Sequence, residues 1–561
     1  MPMEKIWKVR EPDIVQKDVL AKELGVSSLF AQLLLNRGIT DAAAAGRFLR
    51  ADLADLHDPF LMKGMPRAIE RLQEACAKRQ RVFVATDFDA DGVTSCALLE
   101  EELRRRGAEV RHYVPHRLKD GYGLNDEAVR LARDWPADIF VSLDCGVTSV
   151  AEIGALAAAG VFTLVVDHHE PPAALPAADV ILDPKQADCR YPFRDLASVG
   201  LVFKVLQALG AQDLYSNLDV VALGTVADVA PLVDENRIFV RHGLDRLART
   251  ERPGLRSLME AAGIADKKIS ARSVSFILAP RLNASGRMDT AHASLDLLLS
   301  DDPREAAALA RELDDNNRLR QQIEERVVAE AMDLIARGNL DKESVIVLSK
   351  ENWHPGVLGI VASKIVDRYY RPTVVISLQD DVGRGSARSV PHFHIYEALT
   401  QCGPLLKEFG GHQFAAGLII ERGRVDEFRR RLNAVGRACL EKEGGAPVLE
   451  ADAEIPLSLA GEALMRDIDR LSPFGEANAR PLFITPHLRV RSRPSVVGRN
   501  TLKFWVTDGA ATFEAVGFGL GDFLDAVANC GYVDLAYRLG WDTWGPHNPL
   551  QLEVRDLRVS V

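Results

Sequence analysis

The chain has 561 residues, 47% apolar and 27% charged. That is the composition of a soluble globular protein too long for one core, so several domains are expected. A net charge of −11 excludes a whole-surface nucleic-acid binder but is compatible with a local basic groove.

Residues 1–75 read as a helical segment with little chemistry. The opening MPMEKIWKVREPD has no apolar signal region, and no run in the chain reaches the ~18 apolar residues of a membrane span. Seven singly scattered cysteines fit a reducing, cytoplasmic setting and argue against a disulfide framework. From 76 to 301 strands alternate with helices. RVFVATDFD, DIFVSLDCG, VFTLVVDHH and DVILDP are short apolar runs, most of them meeting polar residues at their carboxyl ends, with SVAEIGALAAAG as a helix between two of them. This pattern predicts a βαβ series with a parallel sheet. Residues 302–338 read as one connector helix with Leu309, Leu313, Leu319, Ile323, Val327, Ala331 and Leu334 on its apolar face. Some 35 residues at 1.5 Å rise span roughly 50 Å. Core packing is the expected role of that face, rather than a dimer coiled coil, and a monomer is expected. A second α/β segment covers 339–446. From 447 to 561 strand-like runs predominate and predict a small β-barrel.

ATDFDADGVTS, residues 85–95, opens like a calcium loop, with carboxylates at Asp87, Asp89 and Asp91 and a glycine after them. An EF-hand loop starting at Asp87 needs a bidentate Glu at its twelfth position, which is Leu98, and it follows a helix rather than a strand. The cluster instead sits at the carboxyl end of a predicted strand, where open α/β sheets place their sites. Asp144 in SLDCG and Asp167, His168 and His169 in VVDHHE end two further strands, and Asp228 lies in GTVADVAPL. An Asp at a strand end is commonly only a helix cap or turn residue, and paired histidines are often plain polar surface. On successive strands, however, these side chains can converge and bracket two divalent cations, with Asp144, which stands alone, as the natural bridge. Carboxylate with imidazole suits Mn²⁺, whereas Mg²⁺ prefers oxygen ligands, and the absence of sulfur ligands disfavours zinc.

In this order, DFDADG, DCG, DHH and GTVADVAPL resemble the motifs of DHH-family phosphoesterases. PRLNASGRMDTA (280–291) is similar to a motif of one branch, the bacterial RecJ single-strand exonucleases; NWHPGVLGIVASKI, GRGSARS and FGGHQFAAG resemble its DHHA1 domain; LSPFGEANARPLF resembles the segment leading into its OB-fold. The resemblance implies a multidomain α/β protein with a DHH catalytic domain, a DHHA1 substrate-binding domain and an OB-like barrel. It also implies a two-metal site, Mn²⁺ preferred and Mg²⁺ an alternative. Asp89, Asp91, Asp144, His168 and Asp228 would be ligands, with Asp87 direct or beside them. His169 would contact the phosphate or a ligand, and water would be the attacking group. The implied reaction is 5′→3′ hydrolysis of single-stranded DNA to 5′-mononucleotides in DNA repair and recombination, with a single-strand-binding protein and a RecQ-type helicase as partners and no membrane. The alternatives are a DHH phosphodiesterase acting on short RNA, cyclic dinucleotides or pyrophosphate, and an inactive binding factor. The first needs no barrel, and the second should have lost carboxylates that are all present here.

Substrate-holding residues are expected in several places. Arg384, Ser386, Arg388 and Ser389 of GRGSARS read as a flexible, phosphate-binding loop, for which a charged surface turn is the plain alternative. Gly410, Gly411 and His412 allow close backbone approach beside an imidazole, and His354 and Gly356 precede a predicted helix. Arg117, Lys119 and Tyr122 follow a strand of the first domain, and Arg281, Asn283 and Arg287 could line a strand path. In the barrel, Arg489, Arg491, Arg493, Arg499 and Lys503 surround Phe504 and Trp505, a basic–aromatic mixture suited to single strands.

Overall fold

The first regular element is a strand rather than a helix. β1 (Ile6–Val9) precedes helices Ile14–Leu24, Ser28–Leu35 and Ala42–Arg50, although residues 1–75 read as helical. The computed structural model describes residues 5–11, 13–117, 119, 121, 123–443, 446–542 and 550–560; Tyr122 lies outside the described residues. The chain divides into two units. One comprises 51–367 and 371–442, the other 1–50, 368–370 and 443–561. Among the described residues no helix is long and apolar enough to cross a membrane.

In the first unit, β2 (Arg81–Thr86), β3 (Glu109–Tyr113), β4 (Ile139–Leu143), β5 (Phe162–Val166) and β6 (Val180–Leu182) form one parallel sheet in the order β3-β2-β4-β5-β6. These strands read as continuous apolar runs because both faces are covered. Val82, Val84, Val141 and Leu164 enter one core, while Phe83, Ala85, Phe140 and Val165 enter another on the opposite face. β2, β4 and β5 are neighbours, so Asp87, Asp144 and Asp167 leave adjacent strand ends on one edge of the sheet.

Asp228 ends helix Leu218–Ala227, and PRLNASGRM lies in helix Ala279–Met288. Helix Pro303–Gly338 follows, with Ala306, Ala310, Leu313, Val327, Ala331 and Ile335 buried. The expected apolar stripe fails in its middle. Leu319 is 46% exposed, and the buried positions there are Asp314, Asn317, Arg320 and Glu324. These polar groups are paired: Arg281 reaches Asp314 at 2.9 Å, Arg320 contacts Glu324, and Lys364 lies 2.5 Å from Glu324. Buried charges are tolerated when paired in this way.

β7 (Ile346–Glu351), β8 (Thr373–Gln379), β9 (Val382–Arg388), β10 (Leu406–Gly411) and β11 (Ala415–Glu421) form a mixed sheet in the order β10-β11-β9-β8-β7. GRGSARS is therefore strand β9 and not a loop. Its glycines sit where neighbours crowd the strand: a Cβ at Gly383 would lie 2.8 Å from Ile376, and one at Gly385 3.0 Å from Leu418. On the alternate positions, Arg384, Ser386 and Arg388 share the other face.

In the second unit β1 pairs in parallel with β12 (Val448–Ala451). The remaining strands are β13 (Ala453–Glu454), β14 (Phe483–Val490), β15 (Ser495–Val497), β16 (Thr501–Thr507), β17 (Thr512–Phe518), β18 (Tyr532–Trp541) and β19 (Leu550–Ser560). β14 pairs with both β18 and β16, and the pairs β16–β17, β17–β19 and β19–β18 complete a closed circuit of five strands. The expected barrel is thus an OB-like one. Leu20, Phe30, Leu33 and Leu34 of the N-terminal helices share its core with Leu502, Phe504, Val506 and Tyr537. Phe504 is 2% exposed and cannot stack on a base. Trp505, one residue on, points outward and is 45% exposed. Strand alternation separates the two.

Candidate metal centre

The acidic loop after β2 is built around the start of helix Ala90–Arg105. Asp89 caps it, Oδ1 accepting from Asp91 N at 2.9 Å and Gly92 N at 3.2 Å. The capping role and a ligand role are compatible, because its second oxygen is left over. Asp91 turns both oxygens to the start of helix Ser198–Leu209, accepting from Ser198 N at 2.7 Å and Val199 N at 2.9 Å. The positive end of that helix dipole steadies a carboxylate that is otherwise fully buried. A Cβ at Gly92 would lie 2.5 Å from the Asp87 carbonyl oxygen, and one at Gly224 2.3 Å from Thr94 Oγ1. The two glycines let the loop fold back and let the helix carrying Asp228 approach.

Asp144 occupies the left-handed region at φ 60°, which turns its side chain out of the strand. Its Oδ1 lies 3.2 Å from His168 Nε2, and His168 also lies 3.9 Å from Asp91 and 4.0 Å from Asp228. Asp167 is saturated: it accepts from Val147 N, His168 N and His169 N and meets His169 Nδ1 at 2.7 Å. It orients His169 rather than offering itself to a cation.

Three donor groups result, each with ligand atoms within 4.8 Å of one another: Asp87/Asp89/Asp144, Asp144/His168/His169 and Asp91/His168/Asp228. Asp87 Oδ1 and Asp144 Oδ1 are buried without a hydrogen-bond partner. Two like charges about 4 Å apart repel by ~4 kcal/mol at an effective dielectric near 20, and a few such pairs would consume the 5–15 kcal/mol of a typical fold. Protons or cations must therefore occupy the cluster, and the orphaned carboxylate oxygens with neutral imidazole fit divalent metals.

The titration behaviour agrees. Burial and then neighbouring carboxylates push Asp144 well up, raise Asp91 to about 7 and raise Asp228 to about 9, whereas burial lowers His168 to about 3. Burial opposes protonation of His169, but its hydrogen bond to Asp167 and the charges of Asp167, Asp87 and Asp89 outweigh this and raise its pKa. Carboxylates with raised folded pKa keep protons that the unfolded chain has released, so stability falls as pH rises through those values. Metal-free protein is expected to lose thermal stability between about pH 6.5 and 9, above the range of His168, and Mn²⁺ should restore it most at the upper end. Melting curves in chelator and in Mn²⁺ check this; a flat or rising midpoint in chelator contradicts it.

A basic cluster adjoins the acidic one. Arg117 lies 4.9 Å over the Phe88 ring and senses Asp87 and Asp89. Burial lowers Arg287 to about 9, with Arg117, Arg320 and Arg388 adding like charge and Asp89 opposing. Arg388 is likewise lowered by burial and by Arg117. A Cβ at Gly359 would lie 2.8 Å from Arg388 and 3.2 Å from Ser386 Oγ, so these side chains rest on the first turn of helix Leu358–Tyr369, a ready anion site. Gly359 carries no signal in the sequence beyond its place in GVLG. His354 caps the turn before this helix, and a Cβ at Gly356 would strike the Arg287 carbonyl at 2.1 Å.

Two residues expected to hold substrate do other work. Arg281 is spent on Asp314 and Ile277 O, locking its helix to the long one. Asn283 Oδ1 accepts from Ala90 N at 2.8 Å and braces the acidic loop. Gly410 and Gly411 end β10, with His412 following them into the hairpin, where it senses Arg388 and His169. Arg384 and Arg491 are exposed.

Comparison with known proteins finds three family models matching in chain order: the DHH family N-terminal domain over 81–225, the DHHA1 domain over 342–437 and the RecJ OB domain over 451–556. The single-stranded-DNA-specific exonuclease RecJ of Bacillus subtilis is 35% identical, matching 99% of this chain and 71% of that protein. RecJ of Dickeya dadantii is 34% identical over 94% of this chain and 96% of its own length. The crystal structure of RecJ in complex with Mn²⁺ from Thermus thermophilus superposes with a TM-score of 0.85 at 30% identity, covering 99% of this chain and 80% of that one. Likeness of this extent, in sequence and in fold, makes the chain a member of the RecJ family.

Proposed function

We propose that the chain is a metal-dependent exonuclease that hydrolyses single-stranded DNA from the 5′ end and releases 5′-mononucleotides. The observation that carries this reading is an orphaned carboxylate cluster beside a half-buried arginine cluster, in a chain whose curated relatives are named single-stranded-DNA-specific exonucleases. Asp89, Asp91, Asp144, His168 and Asp228 would hold two divalent cations, Mn²⁺ by preference and Mg²⁺ otherwise, with Asp87 alongside. Bound there, the cations supply an activated water and neutralise charge on the leaving oxygen.

The chain's own groups do the rest. Asp144 belongs to two donor groups and can serve both cations. His169, oriented by the 2.7 Å contact of its Nδ1 with Asp167, would turn its other ring nitrogen to a phosphate oxygen. Arg117, Arg287 and Arg388 form an anion pocket whose mutual repulsion an incoming phosphate relieves. A terminal phosphate carries up to about two charges and an internal diester one, so three guanidinium groups favour an end over the middle of a strand. Residues 76–301 would then be catalytic, 339–446 would seat the terminal phosphate, and the barrel would hold the trailing strand through Arg491 and Trp505. A monomer working in repair with a single-strand-binding protein and a RecQ-type helicase completes the reading.

Incubation with Mn²⁺ and end-labelled single-stranded DNA, RNA dinucleotide or pyrophosphate tests it. Mononucleotides from the 5′ end of DNA are expected, and selective cleavage of either other substrate overturns it. Arg388→Ala is expected to lower kcat/KM on 5′-phosphorylated strands by roughly tenfold more than on 5′-hydroxyl strands, a loss of ~1.4 kcal/mol specific to the phosphate. Equal losses on the two ends would remove Arg388 from phosphate recognition.

A further inference from the structure

Helix Pro303–Gly338 does more than connect. Its first half enters the core of the parallel-sheet domain through Ala306, Ala310 and Leu313, and its second half grips the segment that follows β7. Glu330 Oε2 accepts from Trp353 Nε1 at 2.8 Å and from Lys350 Nζ at 2.8 Å. Nearer the middle of the helix, Glu324 meets Lys364 of helix Leu358–Tyr369 at 2.5 Å. Farther back, Asp314 holds Arg281 and with it helix Ala279–Met288. Asp314 and Glu330 lie about 24 Å apart along the helix axis. One long element thus holds both shorter helices at fixed points.

Between the grips at Trp353 and Lys364 lie the positions against which two arginines rest. Asn352, at φ 61°, turns the chain after β7. Trp353 is 2% exposed, and its carbonyl accepts from Ser377 Oγ on β8. His354 then caps the turn Pro355–Val357. Gly356 lies against Arg287: a Cβ there would lie 2.1 Å from Arg287 O, and Arg287 Nη1 donates to Gly356 O at 3.4 Å. About one helical turn on, Gly359 lies against Arg388, whose Nη2 would be 2.8 Å from a Cβ at that position. The spacing of Arg287 and Arg388 is therefore set by how this short stretch is seated. Trp353 seats it, and Glu330 is the acceptor for its indole N–H. A buried donor left without an acceptor is costly, so the carboxylate fixes the place of the ring.

We propose that Glu330 is a positioning residue for the terminal-phosphate seat, an inference that rests on the 5′-end reading above. Through Trp353 it holds the turn Pro355–Val357, and so the spacing of Arg287 and Arg388. A phosphate with up to about two charges draws on both guanidinium groups at once, whereas a 5′-hydroxyl end does not. A displacement of about 1 Å in the seat is therefore felt in the preference for phosphorylated ends. The carboxylates and imidazoles of the metal centre lie on none of the segments that Glu330 grips, so the chemical step is left alone.

The test compares full-chain variants in Mn²⁺ on short single-stranded DNA ending in a 5′-phosphate or a 5′-hydroxyl. Glu330→Ala and Trp353→Phe should each shrink the phosphate preference in kcat/KM about fivefold, through a higher KM on phosphorylated strands, with kcat within about twofold of wild type. Glu330→Gln, which keeps an acceptor for the indole, should retain the preference. So should Lys350→Met, since the Lys350–Glu330 pair is partly exposed. The Glu330→Ala/Trp353→Phe double variant should lose no more than either single one, because both changes break one contact. Melting curves confirm folding, and should Glu330→Ala unfold, Trp353→Phe carries the test. A folded Trp353→Phe with the wild-type preference, an equal loss on both ends, or a Glu330→Gln as impaired as Glu330→Ala overturns the proposal. A wild type that does not prefer phosphorylated ends overturns the reading beneath it instead.

Discussion

Asp144→Ala is expected to lower kcat by at least about a thousandfold, roughly 4 kcal/mol of barrier, while single-strand binding in chelator stays within about twofold. Asp144 is shared between the Asp87/Asp89 group and the His168/His169 group, and its Oδ1 is buried without a hydrogen-bond donor. Its loss would weaken two cation positions at once, whereas Asp87 belongs to one group and should cost less. Alanine at φ 60° adds backbone strain, so Asp144→Asn is the necessary companion. Asparagine tolerates the left-handed region and keeps the size but cannot supply the charge. Both variants should fold, bind DNA and fail to cut it, and calorimetric titration with Mn²⁺ should show lost sites. Turnover of either above about a tenth of wild type would refute the shared position of Asp144.

Most of the metal centre was legible because parallel sheets impose it. Apolar runs ending in polar residues fix strand ends, neighbouring strand ends share an edge, and Asp87, Asp144 and the DHH motif therefore had to meet. Asp228 was legible only through its motif, since it ends a helix whose approach depends on Gly224. Side-chain assignments between distant segments were less legible. Nothing local tells Arg281, which pairs with Asp314, from Arg287, which feels the charges of Arg117, Arg320 and Arg388; both lie on helix Ala279–Met288, and partners far along the chain decide their surroundings. The buried polar stretch 314–324 misled for a related reason, because periodicity counts apolar residues and a face buried through ion pairs has none. GRGSARS resembled a loop because its glycines were read as flexibility, when they answer crowding by Ile376 and Leu418. Phe504 was misassigned against a signal already present, since the alternation of TLKFWVT places Leu502, Phe504 and Val506 on one face.

Gly92→Ala is expected to lower kcat/KM by about a hundredfold although it removes no ligand, phosphate contact or charge. The new methyl group would lie 2.5 Å from the Asp87 carbonyl oxygen, 2.9 Å from its carbonyl carbon and 2.9 Å from Thr86 Oγ1. Two of these atoms are backbone, so a rotamer change cannot relieve the clash, and the loop from Asp87 to Asp91 must shift against its helix. The loop is also tied down elsewhere. Ala90 N donates to Asn283, Asp89 caps the helix, and Asp91 is pinned by Ser198 N and Val199 N. The strain therefore falls on the carboxylates that must meet the cations, where misplacement of about 1 Å is enough for a hundredfold loss. Asn283→Ala should act in the same direction more weakly, because it loosens the loop without displacing it. Circular dichroism and melting in saturating Mn²⁺ separate this effect from unfolding, and a weaker Mn²⁺ affinity should accompany the lost rate. A folded Gly92→Ala protein with wild-type turnover and wild-type Mn²⁺ affinity would show that the close packing of helix start against loop does not set the geometry of the site.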